Sequence, residues 1–217
     1  MIEPISFSTQ ECSDRHCRFR FPIMVGSAIV NTCPKCNAPI KTVGTPYTRH
    51  VVGNGGQETR TNDMQVLLDN VRSLYNVGSI FRTAEAVGFR QIHLCGMTPT
   101  PDNPRLEKTA IGAQHMIPWQ YSNNGLKRAQ YLKNQGFGLW AIEGGARAKP
   151  LFESSPPPEN QPIVLVIGNE LAGVDPDILA ICERVLYIPM GGSKESLNVT
   201  VAFGIAAYFL RYPQHFG

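Results

Sequence analysis

The run from Leu197 to Leu210 is apolar almost all round. A helix greasy on every face has to be buried, so the rest of the chain must pack around its carboxyl end. The approach to that helix is just as restricted. Leu186-Tyr187-Ile188 reads as an apolar strand stopped by Pro189, and the following turn is polar and carries Gly191 and Gly192. The helix opens on Ser196 and Asn198, at an end whose first backbone N–H groups lack intrahelical partners and can receive polar or anionic ligand atoms. We expect a ligand to sit over this turn and the upstream chain to complete its pocket.

From Met64 onward, short apolar runs alternate with helical ones, the pattern of a parallel α/β sheet. Strands are expected at 65–68, 91–94, 138–142 and 163–167. The last of these is apolar at every position, as in strands buried on both faces. Helices are expected near 76–88, 105–113 and 125–135, and from Asp175. In the first, Ile80, Phe81, Ala84 and Val87 recur at helical spacing, Asn76 can cap the start, and Arg82 falls off the apolar stripe, free to face a site. Strand ends at Glu143, Gly168 and Pro189 bring glycines or polar residues to one sheet edge, where open α/β sheets bind ligands. Glu170 lies at that edge; it serves the site or caps the helix near Asp175. No Gly-x-Gly-x-x-Gly follows the first strand, which argues against a dinucleotide-dependent oxidoreductase.

The amino-terminal segment is of another kind. Cys12 and Cys17 are followed after fifteen residues by Cys33-Pro34-Lys35-Cys36. Two short cysteine hairpins supply the four soft ligands that tetrahedral zinc needs, with His16 as an alternative fourth ligand; two disulfides, or unrelated buried thiols, are the other options. Too short to fold on a hydrophobic core, such a segment would take its stability from the metal. Arg15, Arg18, Arg20, Lys35 and Lys41 outnumber the acidic residues there, so it faces either phosphates or solvent. We expect a zinc-ribbon-like domain at 1–43, a Gly- and Thr-rich linker at 44–63 and an α/β domain at 64–217. Cys95 and Cys182 stand alone in apolar contexts and read as core residues. No run suits a signal peptide or a membrane span, so a cytoplasmic protein without membrane contact is expected.

Three segments together resemble the ordered signatures of the SpoU (TrmH-like) RNA methyltransferases, in the SPOUT superfamily. They are Asn76-x-Gly78-x-x-x-Arg82 running to Gly88, Gly168-Asn169-Glu170, and Ile188-Pro189-Met190 through Ser196-Leu197-Asn198-Val199. The resemblance covers Met64 to Arg211. It implies a parallel sheet with a deep carboxy-terminal trefoil knot, which pattern reasoning alone would never produce. It also implies methyl transfer from S-adenosylmethionine to a ribose 2′-hydroxyl of tRNA or rRNA, not of DNA, which lacks that group. Arg82 would be the main catalytic residue and Asn76 would shape its surroundings, with Glu170, Ser196 and Asn198 in the same site. Ile142, Glu143, Gly144, Gly168, Asn169, Ile188, Met190 and Leu197 would hold the methyl donor. A guanidinium is normally a donor only, so Arg82 suits stabilising a developing alkoxide better than acting as a base. Arg105 and Lys108 would lie near RNA phosphates, and the last helix would sit in a homodimer interface. The alternative is a non-catalytic RNA-binding zinc-ribbon protein with a vestigial methyltransferase domain.

Overall fold

A three-stranded antiparallel sheet holds the cysteine-rich segment together. Strand β1 (Ser6–Cys12) is central, between β2 (Arg20–Met24) and β3 (Ile40–Thr48). The computed structural model describes residues 5–27, 30–48, 63–158 and 160–213. The chain divides into two compact units, Met1–Gln57 and Glu58–Gly217. Residues 44–48, expected in the linker, are instead the second half of β3, where a bulge at Gly44 brings Tyr47 opposite Phe7. The remainder of the expected linker, 49–62, lies outside the described residues.

The second unit is built on seven parallel strands. They are β4 (Met64–Asp69), β5 (Gln91–Cys95), β6 (Trp119–Ser122), β7 (Gly138–Ile142), β8 (Lys149–Pro150), β9 (Ile163–Ile167) and β10 (Arg184–Tyr187), ordered β6-β5-β4-β9-β7-β10-β8. Successive side chains of a strand point to opposite faces, and here both faces are covered. Val66, Leu68, Leu165 and Trp140 pack under helices α1 (Leu74–Val87) and α6 (Val199–Arg211). Leu67, Val164, Val166 and Ala141 pack under α4 (Gly125–Asn134) and α5 (Pro176–Ile181), with Cys95 and Cys182 buried in that layer as expected. Short helices α2 (Glu107–Ala110) and α3 (Ala113–Met116) follow the turn Pro104–Leu106.

Helix α1 begins two residues earlier than its apolar stripe suggests. Ser73 is the cap, its Oγ accepting from Asn76 N at 3.3 Å, so the Asn76 side chain is left for other partners. Gly88, at φ 82°, closes the helix in the left-handed region. The buried Arg211, last residue of α6, donates to the carbonyls of Val87 and Gly88 at 3.0 and 2.6 Å, placing a cation at the negative end of α1.

Gly78 has a packing role that spacing could not reveal. A β-carbon there would lie 2.0 Å from Thr109 Oγ1 and 2.9 Å from the Leu106 carbonyl, so only glycine lets the 104–110 segment lie on α1. Gly78→Ala should lower stability by about 1–3 kcal/mol, read as a lower denaturant midpoint at unchanged slope. Across the sheet, His93 is fully buried; its Nε2 meets Gln65 Oε1 at 2.7 Å and its Nδ1 accepts from Arg128. Burial, with Arg128 beside it, pushes this imidazole down to about 3, so it is neutral and structural.

Candidate active site

Strands β7, β9 and β10 end side by side, and the loops that leave them enclose a cleft of about 960 Å³ at the carboxyl edge of the sheet. Ile142, Glu143 and Gly144 form one wall, Gly168, Asn169 and Glu170 a second, and Ile188, Met190, Ser196, Leu197 and Asn198 the third. Every residue expected to hold the methyl donor therefore lines one cavity. Sequence reasoning missed Tyr187, Gly173, Val199 and Ala202, which also line it. Tyr187 could have been found from its place beside Ile188 at the strand end.

The cleft's floor depends on glycine. A β-carbon on Gly168 would lie 2.3 Å from both Gly173 C and Val174 N, so the two backbone segments touch. Asn169 fastens this loop: its Oδ1 accepts from the Leu171 and Ala172 N–H groups at 2.9 and 3.0 Å, and its Nδ2 donates to the Asn70 carbonyl at 2.7 Å. The Glu143 carboxylate accepts from Val174 N at 2.9 Å and Gly144 N at 3.1 Å, tying the first wall to the second. By contrast, β-carbons on Gly144, Gly191 and Gly192 would meet nothing within 4 Å, so these positions open onto free space.

Two expected site residues have a different setting from the one their sequence positions suggested. Glu170 does not cap the helix at Asp175; Asp175 caps α5 itself, accepting from Asp177 N at 2.8 Å. The Glu170 carboxylate instead accepts from Arg72 N and Ser73 N, both at 3.0 Å, and from Asn76 Nδ2 at 2.9 Å. Asn76 Oδ1 in turn accepts from Asn198 Nδ2 at 3.3 Å, and Asn198 caps α6 through Thr200 N at 2.9 Å. Asn198–Asn76–Glu170 is thus one chain of polar contacts joining the starts of α1 and α6. Asn198 Oδ1 occupies a backbone donor that the sequence left open for a ligand.

Arg82 is the second. Exposed two turns along α1 from Asn76, it lies outside the cleft and borders a shallower depression with Ser79, Thr83, Lys108, Thr109 and Tyr208. Among the described residues its guanidinium has no hydrogen-bond or ion-pair partner. Arg105 is exposed and lines neither hollow.

Partial burial raises the Glu170 carboxyl, but the backbone N–H groups and the Asn76 amide outweigh it, and the net shift is downward. A depressed carboxyl stabilises the fold above its unfolded value of about 4.3 and loses that contribution as pH falls through the folded value. Glu170→Gln should therefore be less stable than the parent near neutral pH, by at most about 1 kcal/mol because the carboxylate is exposed and solvent screens it. The gap to the parent should close as the pH drops below about 4, which thermal melts across pH will read.

In the first unit, the sulfurs of Cys12, Cys17, Cys33 and Cys36 all lie within 4.8 Å of one another. Cys12–Cys36 and Cys17–Cys33 are 3.5 and 3.9 Å apart, unbonded, so the disulfide alternative does not describe them. Thiolates about 2.3 Å from a tetrahedral zinc would be about 3.8 Å from each other, so the spacing fits that ion. Lys35 N points at Cys33 Sγ at 3.4 Å, and His16 is not in the cluster.

The profile of the SpoU rRNA Methylase family matches residues 63–208. The chain belongs to this family. The tRNA (guanosine(18)-2′-O)-methyltransferase of Aquifex aeolicus is 32% identical over 151 residues, which are 70% of this chain and 70% of that enzyme. The 23S rRNA (guanosine(2553)-2′-O)-methyltransferase of Bacillus subtilis is 33% identical over 148 residues, 67% of this chain but 57% of that enzyme. An AdoMet-bound rRNA methyltransferase from Sinorhizobium meliloti superposes with a TM-score of 0.65 at 28% identity, over 70% of this chain and 56% of that one. The SpoU match leaves the cysteine-rich unit outside it. Among the described residues, no helix is long and apolar enough to cross a membrane.

Proposed function

We propose that this SpoU-family chain transfers a methyl group from S-adenosylmethionine to a ribose 2′-hydroxyl of tRNA or rRNA. One observation carries the proposal: all three signature segments border, or hydrogen-bond to, one cleft at the carboxyl edge of a parallel sheet. Its volume is in the range of small-molecule sites, about 300–1,000 Å³. Ile142, Ile188 and Leu197 give it an apolar slot for a flat ring, and the glycine-rich turns leave backbone N–H groups for its ring nitrogens and C=O groups for its exocyclic amine. The bound donor supplies a methyl group already activated by its sulfonium. What remains for the protein is to position an oxygen nucleophile and help it lose its proton.

Asn198 and Asn76 orient the groups at the cleft mouth, and Glu170 holds Asn76 and the turn before α1 in place. Ser196, lining the cleft with no hydrogen bond among the described residues, is available to the ribose. Arg82 stabilises the developing alkoxide, and its position outside the cleft favours a shared site. Helix α6 borders the cleft through Val199 and Ala202 and the Arg82 depression through Tyr208. It also exposes Val201 and Tyr208 to solvent. A two-fold homodimer pairing along α6 covers those residues and sets the Arg82 of one copy toward the cleft of the other. We include the trefoil knot, in which α6 passes through the loop holding Gly168 and Glu170.

The four cysteines take a structural zinc, which fixes the carboxyl end of β1, the 15–17 turn and the Cys33–Cys36 turn. Elemental analysis should find one zinc per chain, lost in Cys33→Ser. Tritiated donor incubated with RNA tests the enzymatic proposal: label should be found in 2′-O-methylnucleosides, and label confined to bases would overturn it.

A further inference from the structure

The cysteine-rich unit has a face that the metal does not explain. In β1, Phe7, Thr9 and Glu11 point to one side of the sheet, and their paired residues share that side. One row across the three strands is therefore Met24, Phe7 and Tyr47, and another is Arg20, Glu11 and Lys41. The Phe7 and Tyr47 rings stack with centroids 5.9 Å apart and planes 24° from parallel. Tyr47 and Met24 are each 46% exposed, a large opening for apolar side chains in so small a unit. The two rows are four residues apart along β1, about 13 Å.

The charge on this unit is equally lopsided. Residues 1–57 hold six Lys and Arg against three Asp and Glu, a net of +3. That is the whole formal charge of the chain, because the remaining fourteen basic residues are balanced by fourteen acidic ones. The carboxylate on the face, Glu11, is nearly buried between the Arg18 and Arg20 guanidinium groups, at 3.5 and 3.7 Å, with Lys41 opposite it in the register. One negative charge lies among three positive ones.

We propose that this face binds a single-stranded stretch of the RNA, unpaired bases stacking on the Met24–Phe7–Tyr47 row and phosphates lying along Arg18, Arg20 and Lys41. An aromatic platform beside a cationic row is the combination that single strands select. A duplex keeps its base faces hidden, and an apolar protein partner would leave the basic row unmatched. The proposal rests on the methyltransferase reading only for the identity of the strand. Because stacking does not read the 2′-hydroxyl, this face adds affinity and reach and leaves target choice to the α/β unit.

The test uses the full chain and a short fluorescein-labelled oligouridylate, followed by anisotropy across a salt series. Tyr47→Ala should weaken binding about tenfold, and Tyr47→Phe, which keeps the ring, should restore it. Arg20→Gln with Lys41→Gln should lower the slope of log affinity against log salt by about 1.4, the loss of two phosphate contacts. Parental thermal midpoints establish that the variants fold. Calorimetric titration of the same preparations with S-adenosylmethionine separates the two proposals. Donor binding together with parental oligonucleotide affinity in all variants overturns the stacking face alone. No donor binding, with the ring and charge effects present, overturns the enzyme reading and leaves this one standing. If Tyr47→Ala abolishes self-association in sedimentation while RNA affinity is unchanged, the face joins two copies of the chain and the proposal fails.

Discussion

Replacing Arg82 with alanine should leave S-adenosylmethionine binding at its parental affinity and slow methyl transfer by a factor of about a hundred or more. The side chain is exposed, lies outside the cleft and has no polar partner among the described residues, so its loss removes no donor contact and little stability. Loss of a group that meets only the developing alkoxide lowers kcat and kcat/KM together. Lysine at this position keeps the charge but not the planar fork, and should recover only part of the rate. The proposed shared site gives a sharper outcome. Mixed dimers of Arg82→Ala and Ser196→Ala chains should regain activity that neither variant has alone, because one of their two composite sites is intact. If mixing restores nothing while Arg82→Ala alone is inactive, Arg82 serves its own cleft. Near-parental turnover in Arg82→Ala removes it from the mechanism.

Gly168→Ala should be the most damaging single methyl group in the α/β unit. Three backbone atoms, Gly173 C, Val174 N and Gly173 O, lie 2.3–2.5 Å from where the new carbon would sit. A flexible side chain could swing aside, but these atoms belong to a loop pinned by Asn169 and Glu143. Over-packing of this kind costs about 1–3 kcal/mol and occasionally more, and contact with main chain puts Gly168 at the upper end. The damage should be local as well as global: with the second wall pushed off the first, donor affinity should fall by at least tenfold even where the chain remains folded. Gly144→Ala is the matched control, since its β-carbon meets open space. It should fold normally, and any loss there reports on crowding of the ligand.

Much of the α/β unit is legible because its signals are local. Ile163–Ile167 could hardly be anything but a doubly covered strand, and glycines just past strand ends mark the edge where a cleft forms. Weaker signals hid β6: Trp119–Ser122 has two exposed positions and half-covered ends, so no apolar run announces it. The antiparallel sheet of the first unit was hidden for a related reason. Its strands are largely solvated, and cross-strand register leaves no imprint on a single strand's sequence. Residue type pointed to the right neighbourhood for the site but not always to the right role. A glutamate beside a glycine at a strand end looks like a ligand-facing acid; only the fold brings the N–H groups of Arg72 and Ser73 to it across 97 residues or more. Helical spacing told that Arg82 leaves the apolar stripe, and could not tell which hollow it would border. Gly78 and Arg211 act through distant chain segments, and nothing near them in sequence names those segments.

The proposed role of the three loops is to cradle a methyl donor for a ribose oxygen. Mapping 2′-O-methyl marks in total RNA from cells with and without the gene tests it most directly. A mark that vanishes at one or a few tRNA or rRNA nucleotides, and returns with the parental chain but not with Arg82→Ala, is the predicted result. An unchanged map, in cells shown to express the folded chain beforehand, would contradict it.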